Sequence, residues 1–210
     1  NVDSDPDNAL NYLTLAQTLY QQGDIDNARS AVSRGQEKSD NKIRYLITAT
    51  SIADTENDIS GAVVYGILLW EITKDDLSNE GQLANNNISE YLYNKSNIIS
   101  RFDLSQSNND NLRGVLGTDA QSIAESNITH ILIVNNNIEN GHAGIARVAI
   151  RNWDDETHNL PIGQLVNAKY EILTDNIEIG RNQLNILVET STTPAWIVKI
   201  AQDLLNELEG

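Results

Sequence analysis

The chain contains no cysteine, which excludes disulfide bonds, thiolate metal sites and cysteine nucleophiles at once. Methionine is also absent, even as an initiator, so the chain is expected to begin downstream of a removed leader or a trimmed start. Basic residues are scarce: 14 Lys and Arg stand against 30 Asp and Glu, a formal charge of −16. The deficit is spread along the chain, with residues 1–126 at −10 and residues 127–210 at −6. Such a chain is repelled by phosphate backbones and by anionic lipid, which argues against nucleic-acid and membrane-surface partners. No apolar run approaches the roughly 20 residues of a transmembrane helix. The longest, Ala62 to Trp70, is short and carries Gly66 inside it, so no membrane span is expected.

What is present is enough for a core. Hydrophobic residues make up 40% of 210, which excludes a disordered chain and allows one large domain or two small ones. Asn occurs 27 times, in clusters such as Asn85–Asn87 and Asn135–Asn137. Few Lys, many Asn, Asp and Ser, and no oxidisable sulfur fit a secreted protein, and genome base composition accounts for them equally well. The expected location is extracellular or periplasmic after loss of a leader, with the cytoplasm left open.

Self-comparison finds a repeat. Gly23-Asp24-Ile25-Asp26-Asn27-Ala28 recurs as Asn57-Asp58-Ile59-Ser60-Gly61-Ala62, 34 residues later. Gly and Asn are the residues that best tolerate a left-handed backbone at a helix end. Each unit reads as two helices, Asp7–Gln22 with Ile25–Lys38 and Asn41–Thr55 with Ile59–Lys74. The pattern resembles a tetratricopeptide repeat. In residues 9–42 the matching positions are Tyr12, the Leu15-Ala16 pair, Gly23-Asp24 at the turn, Ala28 and Gly35; residues 43–76 keep Asn57-Asp58 and Ala62. The resemblance implies that Tyr12, Ala16, Gly23, Ala28, Asn57 and Ala62 serve repeat packing, the small residues letting paired helices approach closely. Neither unit has the family's terminal Pro. A long helical stretch at Ser78–Phe102, a polar connector and a short helix at Leu112–Glu125 are expected to cap the stack and complete a helical domain over residues 1–126.

Beyond Asn127 the pattern reads differently. His130–Val134 is a compact apolar run, Gly144–Ile150 alternates, and Ala168, Tyr170 and Ile172 alternate with Lys169 and Glu171. Leu184, Ile186 and Val188 alternate with Asn185 and Glu189. With Asp175-Asn176 and Gly180–Asn182 as turn signals, this period of two predicts an antiparallel sheet, Tyr170, Ile172, Leu184, Ile186 and Val188 inward and Lys169, Glu171 and Asn185 outward. A parallel nucleotide-binding layout is the rival. Thr193-Pro194 starts a terminal helix over residues 194–208. The expected class is therefore α+β, a helical-repeat domain followed by a β-rich domain over 127–210.

Candidate chemistry is sparse. The three histidines, His130, His142 and His158, stand singly, and no phosphate loop or nucleophile elbow is present, so neither an enzyme nor an organic cofactor is expected. Asp3, Asp5 and Asp7 place carboxylates at alternate positions as in the start of a calcium loop, and Asp154, Asp155 and Glu156 form a second cluster. Both are candidate Ca²⁺ ligands, and both also read as solvated acidic segments. Asn87, Asn94 and Asn127 head Asn-x-Ser/Thr sequons, and Thr190, Thr192 and Thr193 precede a proline, which makes them candidate glycan sites in an exported chain. Composition and layout together resemble the repeat-type subunits of secreted, glycosylated fibrils. An uncapped repeat stack at one end and a sheet edge at the other predict a homopolymer built head-to-tail, and the acidic surface calls for calcium at its contacts. The alternative is an adaptor that holds a partner peptide in its helical groove, and a third is an enzyme with its site in the β region.

Overall fold

The computed structural model describes residues 5, 7–55, 57–99 and 124–210, and every regular element among them is an α-helix. The helices are α1 Ala9–Gln21, α2 Ile25–Lys38, α3 Lys42–Thr55, α4 Ile59–Thr73, α5 Asn79–Asn94, α6 Ser96–Ile99, α7 Asn127–Glu139, α8 Ala143–Arg151, α9 Asp155–Asn159, α10 Pro161–Leu173, α11 Ile177–Glu189 and α12 Ala195–Glu209. They fall into two compact units, residues 5–92 with 124–126 and residues 93–99 with 127–210. Most of the short helix expected at Leu112–Glu125 lies outside the described residues.

The α+β expectation is overturned: residues 127–210 hold no strand, and the fold is all-α among the described residues. The burial pattern gives the reason. In α10 the buried positions are Ile162, Gly163, Leu165, Val166 and Ala168, a helical stripe rather than an alternation. In α11 they are Gly180, Leu184 and Leu187, spaced four and three apart. The strand reading put Ile186 in the core and gave no place to Leu187. Ile186 is 57% exposed and Leu187 is buried. Tyr170, Ile172 and Val188 are half-buried, as are Lys169 and Glu171, so the two predicted faces do not separate.

Four helical hairpins share one turn. Gly23, Asn57, Gly141 and Asp175 are the described residues with positive φ, at 80°, 60°, 72° and 63°. Each stands just past the end of the first helix of a pair, and the next amide donates to the carbonyl five residues back. The bonds are Asp24 to Leu19, Asp58 to Ala53, His142 to Asn137 and Asn176 to Glu171, all 2.8–2.9 Å. This is a Schellman turn, which satisfies a helix-end carbonyl and reverses the chain. Asp24 and Asp58 then cap the second helix through the amides of Asn27 and Gly61. The spacing is 34 residues from Gly23 to Asn57 and again from Gly141 to Asp175. Residues 127–210 therefore repeat the hairpin design of residues 9–73, with α12 starting 34 residues after α10.

Five residues past each turn stands a small buried residue: Ala28, Ala62, Ala146 and Gly180. There the second helix crosses the first. In the first unit, α1 and α2 close over Tyr12, Leu13, Ala16 and Ala31. The apolar run Ala62–Trp70 forms most of α4, which is buried on nearly every side. Gly66 admits Ile88 and Leu92 of α5, which would lie 3.0 Å from any added Cβ.

Two glycines separate crossing from propensity. Glycine to alanine inside a helix ordinarily stabilises by about 1 kcal/mol. Gly144 of α8 has open space around it, so Gly144→Ala should raise the melting temperature. A Cβ at Gly180 would sit 2.9 Å from the Ala168 carbonyl oxygen and 2.6 Å from Ile172 Cγ1, and a backbone atom cannot yield cheaply. Gly180→Ala should lower the melting temperature, and two shifts of the same sign in thermal denaturation would contradict this account of the crossing.

Candidate functional site

The second unit carries a polar cluster on α7 and α10, the first helices of two successive hairpins. Asn135 of α7 and Lys169 of α10 lie 34 residues apart and so hold the same position in each hairpin. The Lys169 side chain is only 15% exposed. Its ammonium donates to Asn135 Oδ1 at 2.7 Å, Tyr93 Oη at 2.9 Å and Glu139 Oε1 at 3.0 Å, which uses all three of its protons. The Asn135 amide, fully buried, donates in turn to Ser96 Oγ at 3.1 Å and Glu139 Oε1 at 3.0 Å. The Tyr93 ring packs on Trp196 of α12, with ring centroids 5.3 Å apart and tilted by 48°.

Segment 93–99 of the chain is thus held against three helices by polar anchors. Tyr93 engages α10 and α12, and Ser96 engages α7. Both side chains are buried. Burial pushes the Tyr93 phenol pKa up, against the opposing pull of the Lys169 ammonium. Among the described bonds of the cluster, Lys169 is the cation and Glu139 its counter-ion.

The residues singled out by sequence are dispersed. Asp3 lies outside the described residues. Asp5 is exposed, and its carbonyl accepts from the Asn11 side chain at 3.2 Å. Asp7 pairs with Lys38 at 2.8 Å, and that hydrogen bond holds its carboxyl below the usual range. Asp154 caps α9 through the Thr157 amide at 2.8 Å, and Thr157 likewise draws its pKa down; Asp155 and Glu156 follow in the first turn. Among the described residues no three His, Asp or Glu side chains are arranged to hold a metal ion. Asn87 and Asn94 are exposed on α5, and Asn127 opens α7 half-buried. Thr190 is the C-cap of α11, its hydroxyl bonded to the Ile186 carbonyl, while Thr192 and Thr193 lie in the turn before α12. Tyr12, Ala16, Ala28 and Ala62 are buried, and Gly23 and Asn57 make the turns. No described helix is long and apolar enough to cross a membrane.

Lys169, Asn135, Tyr93 and Trp196 were not among the sequence candidates, because the strand reading sent Lys169 to solvent. The signal lay in the same 34-residue offset carried past residue 126, which pairs Ile128 with Ile162, Leu132 with Val166, Asn135 with Lys169 and Ala146 with Gly180. Comparison with protein families, characterised proteins and solved structures gives no match to this chain.

Two outcomes follow from this geometry. Lys169→Met keeps the stem but strands the buried Asn135 carbonyl oxygen, at a cost of about 1–3 kcal/mol in chemical denaturation. The Tyr93 phenol is favoured in its protonated form by the fold, so its contribution is intact below the unfolded phenol pKa of about 10 and is lost as pH rises through the higher folded value. The stability of a Tyr93→Phe variant should therefore fall less steeply above that pH than the parent's, as read by denaturation midpoints along an alkaline series.

Proposed function

We propose that the chain is a non-enzymatic interaction scaffold, built from tetratricopeptide-type hairpins, that binds short polypeptide segments across the first helices of its second unit. The observation that carries this reading is segment 93–99, a stretch of the chain itself seated there by a tyrosine and a serine three residues apart. An aromatic ring on Trp196, a hydroxyl on Lys169 and a second hydroxyl on Asn135 together specify a Tyr-x-x-Ser type of ligand. Surfaces that bind by buried anchors recognise partners through a few such side chains. The acidic, cation-poor character of the chain selects against large polyanionic partners.

Self-association by sheet edges has no basis once residues 127–210 are helical. In this reading a homopolymer would form by exchange of segment 93–99 between copies, an intermolecular version of the same contact.

The test uses the full chain. A Tyr93→Ala/Ser96→Ala variant weakens the internal anchor, and a synthetic peptide spanning residues 90–100 is then titrated while Trp fluorescence is followed. The expected result is saturable binding to the variant and at least tenfold weaker binding to the parent, whose own segment competes. A folded variant that ignores the peptide at millimolar concentration would show that the face does not recognise peptides in trans.

A further inference from the structure

A cleft of about 450 Å³ opens between α8 and α10 in the second unit. Arg147 and Arg151 of α8 line one side, with Asn167, Tyr170, Glu171 and Asn176 across from them. The two arginines stand four residues apart, on one face of the helix, and both are exposed. Neither side chain makes an ion pair or hydrogen bond among the described residues, as is true of Lys199, whereas Lys169 and Arg181 of the same unit are both paired with glutamates. Glu171, the one carboxylate in the lining, accepts from the Asn176 amide at 2.8 Å.

What sets the pair apart is that two adjacent unpaired cations line one cleft. Acids outnumber bases by 30 to 14, so a cation meets an acidic neighbour easily, and like charges four apart destabilise a helix. A pair that forgoes both internal counter-ions and separation is suited to an external anion. Guanidinium groups present rigid donor forks that fit carboxylate or phosphate oxygens two at a time. The volume lies in the small-ligand range, and the net charge of −16 opposes a large acidic partner more than a small one. We propose that this cleft binds a small ligand carrying clustered oxyanions, either a di- or tricarboxylate or a phosphate, with Arg147 and Arg151 as its counter-ions and Tyr170 and Asn167 as neutral hydrogen-bond partners.

The experiment is calorimetric titration of the full chain with citrate and, separately, with inorganic phosphate, at low and matched ionic strength. One saturable site is expected for at least one of them, weakening as sodium chloride is added. The arm that saturates identifies carboxylate or phosphate as the chemistry. Arg147→Ala/Arg151→Ala should lower that affinity at least tenfold while keeping the parent's melting temperature, since both side chains are exposed. Arg181→Ala, outside the cleft, should leave the affinity unchanged. The proposal is overturned if neither anion saturates, or if the double arginine variant binds as the parent does.

Discussion

Everything in this fold depends on a single left-handed residue at the apex of each hairpin. Once Gly23, Asn57, Gly141 or Asp175 takes positive φ, the following amide bonds back to the last turn and the exit direction of the chain is fixed. The second helix must then cross the first at a set distance from the turn, which is why a small residue recurs five positions on. Gly carries this conformation without strain, while Asn57 and Asp175 rely on short polar side chains that tolerate it. The repeated turn also sets the register between hairpins. Asn135 and Lys169 can meet because equal spacing brings equivalent positions of successive first helices side by side.

The first half of the chain was legible because its two turns share letters as well as backbone. Gly23-Asp24-Ile25 and Asn57-Asp58-Ile59 both use an aspartate cap, and self-comparison finds them. Gly141-His142-Ala143 and Asp175-Asn176-Ile177 make the same turn with no common residue and no side-chain cap bond, so the eye finds nothing to match. The more conspicuous pattern in this half is a local alternation of apolar residues. That alternation is real in residues 184–188, but a helix buries positions three and four apart, and Leu184 with Leu187 obeys that rule. The cluster around Lys169 was illegible for a different reason. A lysine is ordinarily solvated, and its burial rests on acceptors distant in sequence, Asn135 and Glu139 of α7 together with Tyr93.

That cluster shows what a buried charge needs in order to be tolerated. Removing an ammonium from water is costly, and the Coulombic attraction of one carboxylate seldom offsets it alone. Here each ammonium proton has its own acceptor, the acceptors differ in type, and one of them, Asn135, donates in turn to Glu139 and Ser96. A network in which each ammonium and Asn135 amide proton has an acceptor discriminates by geometry, because a segment lacking either hydroxyl leaves a largely buried donor without a partner. The tilted packing of Tyr93 on Trp196 adds an apolar term that any aromatic could supply. In the proposed binding mode, specificity therefore resides in the hydroxyls and adhesion in the rings.

The charge balance sharpens the same distinction across the molecule. Lys38 with Asp7 and Arg44 with Glu80 are exposed pairs, and such pairs add little to stability. With surface charges screened over about 8 Å at physiological salt, the excess of acids acts on a partner chiefly at contact. Distant attraction cannot choose a ligand for a chain that repels most polyanions and has few cations to offer. In the proposed readings, selection comes from individual side chains: the bonded face of α7, α10 and α12, and the two exposed, unpaired arginines of α8. Each hairpin backbone is locked by its turn before any ligand arrives, and the bonded side chains of the anchored face are preorganised, which lowers the freedom lost on binding.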